Sequence, residues 1–572
     1  MNKTLFLFTL GPVQSFIFQA RKTQDLYAGS YLLSHLADIA VKKTIELGGE
    51  IIFPDPHKRS IPNRLLAYFS ESDNEKLKAI GQSIQGAVQH EFRTIANGVL
   101  ASFSLEESTE FKEQIAQHLE FYWLFQPWGK SDYLDNYRSI IAGLRTIKGT
   151  KIFEQITEAP GKKCSVSGEH NIVFYRKDRG GERGSTGSAL PRSFPIRLMD
   201  DNEGLDAANF IKRCLGPYFK EDFDSSFPST ARIALMEAGE RLKKERPDHQ
   251  RIWKGVEELA LFKLVENSSA EEKSDSLNKE TIQAAALIKE HKIHCSPYYA
   301  IMLFDGDDMG KWYGEPHLKA GVSQYDFHSA LSARMVDFAD EVQKILIEPR
   351  GRVIYAGGED FLGFININHL LKVMVELRER FGRLNIQEYT EDRPTFSAGI
   401  AIAHYKTPLS EVLKWAKKME KWAKEIDTQK DAFGIAVLKH SGETQMTRLK
   451  WRSNDLWIPQ LIERLMERVK KEDVSTTFIK QLNQIFLKLF ESDGNTFDHA
   501  DLIIKAEIKR LVGRSVTVEK LIGEDRERFE NRRTDLVNVL TEDLSKLYFS
   551  CKNQMDFLSV LNIVTFLQRE VI

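Results

Sequence analysis

The chain has 572 residues, with 80 Lys and Arg against 82 Asp and Glu, 42% apolar and 28% charged residues. Such a length holds several domains with ample cores, and the balanced charge excludes a globally basic nucleic-acid binder, so any anion-binding surface must be local. Four scattered cysteines (Cys164, Cys214, Cys295, Cys551) exclude a disulfide framework and suit a reducing cytoplasm. No apolar run approaches the roughly 20 residues that cross a bilayer. The apolar start is too short for a signal peptide's core and lacks a small-residue cleavage site, so it reads as a buried strand.

Residues 3–10 are that first strand. Gly11-Pro-Val-Gln-Ser15 breaks it, and a long amphipathic helix follows through Ala37. A second strand is expected at Glu50–Pro54, with Asn63 and Arg64 in a loop. Residues 75–120 read as helical, Phe121–Trp128 as an aromatic strand and 131–160 as helix. Lys162–Glu169 resembles half a zinc knuckle, but Ser167 stands where a second thiolate is needed, so zinc is not expected. Lys177–Ser188 and Ser268–Ser276 read as surface loops, and 204–290 as mostly helical, interrupted at Phe227-Pro-Ser-Thr-Ala231.

The chemistry concentrates further on. Tyr298–Phe304 is an apolar strand that ends in Asp305-Gly-Asp-Asp308. Gly351–Ile365 reads as a hairpin whose Gly357-Gly358-Glu359-Asp360 tip allows positive φ and presents two carboxylates. A helix (Leu370–Phe381), a strand (394–403), a Lys- and Trp-rich helix (Leu409 to about Ile426) and a strand (Phe433–Leu438) complete a ferredoxin-like β-α-β-hairpin-α-β series. Beyond 446, apolar residues recur at helical spacing. The strand, glycine break, helix and strand of residues 3–55 run in the same order as those of 298–357. That order reads either as a degenerate repeat or as two unrelated strand–helix–strand units.

Asp305, Glu359 and Asp360 on neighbouring strands would share one or two divalent cations, Mg²⁺ or Mn²⁺, that bridge nucleotide phosphates. Gly306, Asp307 and Asp308 are candidates for holding the triphosphate through backbone amides, with Lys424 and Lys406 as phosphate contacts. Lys414, Lys417, Lys418 and Lys421 read as a solvated face, and His35 and His404 as structural.

Leu303–Trp312, Ile354–Asp360, Ser397–Leu409 and Val437–Glu443 resemble the large polymerase-like subunit of type III CRISPR effector complexes, the III-B branch in particular. Gly11–Ile17, Ala20-Arg21, Asp25-Leu26, Gly29–Ser34 and Phe227–Ala231 resemble that branch's first palm region and connector. The resemblance implies an α+β fold: a first palm without catalytic carboxylates (1–160), a partly helical connector (161–292), a second palm (293–445) and a C-terminal helical domain (446–572). It implies a cytoplasmic enzyme that makes cyclic oligoadenylates from ATP when its complex binds target RNA, with effector subunits, guide RNA and target RNA as partners and no membrane. Asp305, Glu359 and Asp360 become metal ligands, and Gly357 and Gly358 the turn under the nucleotide. The family's usual Gly-Gly-Asp-Asp is here Gly-Gly-Glu-Asp, and no His-Asp dipeptide occurs, so no HD nuclease activity is expected. A catalytically silent scaffold of the same complex is one alternative. A diguanylate cyclase is another, since Gly-Gly-Glu-Asp-Phe361 is close to that family's signature.

Overall fold

The computed structural model describes residues 3–56, 61–128, 132–150, 158–176, 187–245, 249–266, 277–314, 317–474, 476–489, 500–518, 521–522 and 525–571. The expected loop at 268–276 and most of the one at 177–188 lie outside them. Among the described residues, no helix is long and apolar enough to cross a membrane.

The N-terminal sheet has four antiparallel strands: β1 (Lys3–Gly11), β2 (Glu50–Phe53), β3 (Arg64–Phe69) and β4 (Glu120–Trp128), in the order β2-β3-β1-β4. Helices α1 (Thr23–Glu46), α2 (Asn74–Ser102) and α3 (Tyr133–Gly149) pack on it. Strand β1 is buried on both faces: Phe6, Phe8 and Leu10 join one core, and Leu5 and Leu7 join another with Tyr133 and Tyr137. Double-sided burial explains its unbroken apolar run. Strand β3 was not expected. Its run Leu65-Leu-Ala-Tyr-Phe69 is short, and the loop assignment at Arg64 hid its first residue. The helix expected over 131–160 ends at Gly149, and 151–157 lie outside the described residues.

The second sheet has six strands. They are β5 (Tyr298–Gly306), β6 (Gly351–Ala356), β7 (Asp360–Asn366), β8 (Phe396–His404), β9 (Ala432–Leu438) and β10 (Thr444–Lys450), in the order β10-β9-β8-β5-β7-β6. Helices α4 (Met309–Gly314) and α5 (Gln324–Ile345) link β5 to β6, α6 (Leu370–Phe381) links β7 to β8, and α7 (Leu409–Lys424) links β8 to β9. Strand β10 carries this sheet past the boundary expected at 445.

The order β2-β3-β1-β4 repeats as β6-β7-β5-β8, each neighbouring pair antiparallel. The two palms therefore share a core topology. The connector fills the space behind the second sheet, where Tyr299, Ile301 and Leu303 join its apolar residues, while Ala300, Met302 and Phe304 face the core shared with the C-terminal helices. In the half-knuckle, Ser167 Oγ donates to Asp206 Oδ2 at 2.6 Å.

Phe304 lies in a stack, 3.9 Å from the ring of Phe396 and 4.8 Å from that of Phe361. It sits one residue before Asp305 with no exposed surface. Phe304→Ala should cost about 3–5 kcal/mol, seen as a lower urea midpoint for the transition that includes the second palm.

Candidate functional site

Strand β5 places Asp305 directly opposite Asp360 on β7 and opposite Ser397 on β8. The two aspartates hydrogen-bond each other, so one proton is shared. Burial, then the bond to Asp305 and the charges of Asp305 and Glu359, push the Asp360 carboxyl well above the usual carboxylate range. Burial opposes ionisation of Asp305 too, but the bond from Asp360 and the ammonium of Lys424 outweigh it and hold that carboxyl below its ordinary value. Lys424 donates to both Asp305 and, at 2.7 Å, Glu420.

Two glycines make this geometry possible. Gly358 has φ +90° at the first central position of the turn, which the Gly357 amide closes on the carbonyl of Asp360 at 2.9 Å. At Gly399 a Cβ would lie 1.9 Å from the carbonyl oxygen of Ala416 and 2.2 Å from the amide nitrogen of Glu420. Helix α7 thus lies directly on β8, and that close approach brings Lys424 to Asp305.

The remaining expected residues are distributed differently. Glu359 does not join the aspartate pair: among the described residues, no three carboxylate, imidazole or thiolate groups are assembled to hold a metal. It lines the cavities between the palms together with Arg64. Burial raises its pKa, and the Arg64 charge opposes that rise. Asp307 is a brace. Its carboxylate accepts from Thr395 Oγ1 (2.9 Å), Ser397 Oγ (2.8 Å) and the Asp431 amide (3.0 Å), which leaves little for a ligand. The amides of Gly306 and Asp307 donate to the carbonyls of Glu359 and Thr395, so they are not available to a triphosphate. Asp308, at φ +52°, pairs with Lys430 and, at 3.4 Å, with Lys311. Lys406 is misplaced by the sequence reading: it follows the His404 end of β8, which pairs with Tyr298, roughly 25 Å along the strand from Asp305.

The first palm supplies what sequence reasoning missed. A cavity of about 540 Å³ separates α3 from the turn after β5, with Arg64, Arg138, Arg145, Lys148 and Lys311 facing Asp308 and Glu359. A second, of about 210 Å³, lies over the glycine turn between Phe53, Pro54 and Pro62 of the first palm and Ser332, Met335 and Val336 of α5. Tyr137 and Tyr313 line both. The register explains the cations. Thr9 pairs with Arg64 as Asp305 pairs with Asp360, and Lys148 lies 3.5 Å from Thr9 as Lys424 reaches Asp305. A cation in the first palm thus occupies the place of an aspartate in the second. Only the pairing of β3 reveals this.

A divalent cation fits the aspartate pair. Two half-buried carboxylates that face each other and share a proton are hard oxygen donors, and Mg²⁺ commonly takes one or two carboxylates plus substrate phosphates.

Two ferredoxin-like palms, only the second with facing carboxylates, define a tandem-palm protein with a nucleotidyltransferase- and cyclase-like fold. The family model "Cas10/Cmr2, second palm domain" matches residues 298–434, and "CRISPR-associated protein Cmr2, N-terminal" matches residues 5–124. The CRISPR system Cmr subunit Cmr2 of Pyrococcus furiosus is 23% identical over 554 residues, covering 79% of this chain. The chain spans 63% of that relative's length. The subtype III-A deoxyribonuclease Cas10/Csm1 of Streptococcus thermophilus is 27% identical over 140 residues, which are 24% of this chain and 18% of that protein. A chain of the type III-B Cmr-beta cryo-EM structure bound to cognate target RNA superposes with TM-score 0.67 at 14% identity, covering 99% of this chain and 83% of that one. The two matched regions, residues 5–124 and 298–434, are those of the Cas10/Cmr2 family.

The raised Asp360 pKa has a stability consequence. Without metal, the folded state holds that proton more tightly than the unfolded state does. Its stability contribution is therefore greatest at low pH and is lost as pH rises from the ordinary aspartate range through the folded value. Asp360→Asn should remove this loss and raise the Tm of metal-free protein at neutral pH by about 2–4 °C. An equal Tm difference at pH 5 and pH 8 would contradict the shared proton.

Proposed function

We propose that the chain is the nucleotidyltransferase subunit of a cytoplasmic type III CRISPR effector complex and converts ATP to cyclic oligoadenylates when the complex binds target RNA. The observation that carries this reading is the facing Asp305–Asp360 pair, whose Asp360 lines the smaller inter-palm cavity together with Arg64 and Glu359, two residues that also line the cation-walled cavity beside it. Effector subunits, guide RNA and target RNA are the partners this reading requires.

Asp305 and Asp360 would hold Mg²⁺ or Mn²⁺, which when bound neutralises the phosphates and acidifies the attacking ribose hydroxyl. Nucleotide binding at the pair displaces Lys424 from Asp305, and its ammonium becomes available to a phosphate oxygen. Lys430 and Lys311, now paired with Asp308, lie beside the same opening. Arg64, Arg145 and Lys148 offer charge-assisted hydrogen bonds to a second triphosphate from the first palm's side. Phe53, Pro54, Met335 and Val336 give the smaller cavity apolar walls suited to a purine ring. In the bond-forming step, the 3′-oxygen of one ATP attacks the α-phosphorus of the other. The P–O bond to the β-phosphate breaks, pyrophosphate leaves, and the hydroxyl proton passes to solvent or a nearby carboxylate.

The position of Glu359, beside Arg64 and outside the aspartate pair, favours one alternative, a silent scaffold of the same complex. The diguanylate cyclase reading has no counterpart for the N-terminal palm. Incubating the assembled complex with target RNA, Mg²⁺ and labelled ATP or GTP separates these readings. Cyclic oligoadenylates are expected; cyclic di-GMP or the absence of any product would overturn the proposal.

Asp360→Asn should lower ATP turnover by about a hundredfold or more. Glu359→Gln should lower it less than tenfold, because that carboxylate lies off the pair. Equal losses in the two variants would make Glu359 a full ligand. Lys148→Glu should raise the KM for ATP by about tenfold, by placing a like charge against the triphosphate. An unchanged KM would remove the first palm from nucleotide binding.

A further inference from the structure

The junction between the palms contains a buried imidazole that the proposed chemistry leaves unused. His328, on α5, has no exposed surface. The hydroxyl of Tyr133, on α3 of the first palm, lies 2.8 Å from its Nδ1, and the main-chain carbonyl of Tyr313 lies 2.8 Å from its Nε2. A carbonyl can only accept, so Nε2 carries the hydrogen and Nδ1 accepts from the tyrosine hydroxyl. The side-chain nitrogen of Gln324 lies 2.8 Å from Nε2 and donates at 3.3 Å to the same Tyr313 carbonyl. The rings of Tyr133, Tyr137 and Tyr313 meet the imidazole edge to face, with centroids 5.3, 4.7 and 5.4 Å away. The ring therefore has one tautomer and one orientation, and the first palm helps to set both.

What this ring holds is close to the candidate site. Tyr313 is near the end of α4, the short helix that leaves the Asp305–Asp308 turn, and its side chain lines both cavities beside Glu359. The next carbonyl, that of Gly314, accepts from Arg138 Nε of the first palm at 2.8 Å. Two successive carbonyls at the end of α4 are thus fixed by side chains that belong to, or are oriented by, the first palm. Helix α4 is short and otherwise rests on few buried side chains; only Met309 in it is fully buried.

We propose that His328 is a positioning residue for nucleotide binding: oriented by Tyr133, it holds the Tyr313 end of α4 and so fixes the cavity wall beside Glu359. The inference rests on the nucleotide-site reading above. It makes the first palm a determinant of the second palm's site geometry as well as a cationic wall.

Tyr133→Phe removes one hydroxyl and keeps the ring packing, so the fold should survive. In the full chain it should increase amide hydrogen exchange over residues 306–314. In the assembled complex it should raise the KM for ATP about 2- to 10-fold, the worth of one hydrogen bond, with kcat within twofold. His328→Gln can still donate toward Tyr313 and should retain more affinity than His328→Leu. Unchanged exchange over 306–314 in Tyr133→Phe would overturn the proposal. Equal losses in the Gln and Leu variants, or a fall in Tm with KM unmoved, would do the same by making the role purely structural. If the native complex turns over no ATP, the catalytic reading fails separately. Exchange over 306–314 and the affinity for a non-hydrolysable ATP analogue with Mg²⁺ still decide the role of His328.

Discussion

The structure depends on one pairing in the second sheet. Antiparallel register sets Asp305 against Asp360 at the edge of an otherwise apolar ladder. Two half-buried carboxylates at contact oppose each other's ionisation, so the Asp360 carboxyl is pushed well above its ordinary range while Asp305 takes the Lys424 ammonium. This arrangement leaves the charge of the pair only partly compensated. Much of the surrounding construction serves it. The Phe304, Phe361 and Phe396 stack fixes the strand ends, Asp307 ties the exit of β5 to β8 and to the approach to β9, and Gly399 lets α7 come close enough for Lys424 to reach.

The first palm repeats this construction with the charge inverted. Its strand order and register match, but Thr9 and Arg64 stand in the places of the aspartates, and Lys148 approaches Thr9 as Lys424 approaches Asp305. A palm built this way has no reason to bind a metal, and it places positive charge opposite the carboxylates of its partner. Complementary charge across a cavity favours a polyanion that needs both a metal and cationic side chains. The two palms thus line the same cavities from opposite sides, the first with cations and the second with carboxylates. The aromatic contacts around His328 hold the two parts in register.

Much of the chain's organisation was legible in its sequence. Strands buried on both faces announce themselves as apolar runs, and Asp-Gly-Asp-Asp and Gly-Gly-Glu-Asp mark strand ends and a tight turn because few other residues tolerate those places. Asp305, Asp360 and Lys424 follow from that pattern, as does the fold class. The roles of the neighbouring residues do not. Asp307 and Asp308 look alike in the sequence, yet one is consumed by three internal donors and the other opens on a cavity. Lys406 and Lys424 both look ready for phosphate, yet strand length carries one of them to the far end of the sheet. Glu359 and Asp360 are adjacent and both line the smaller cavity, yet only Asp360 pairs with Asp305, while only Glu359 also lines the larger cavity. Strand β3, with Arg64 at its head, could be recognised only through its partners. Local sequence fixes backbone preference and side-chain chemistry. Which groups meet, which are already satisfied, and what the first palm contributes are decided by register and by packing between segments distant along the chain.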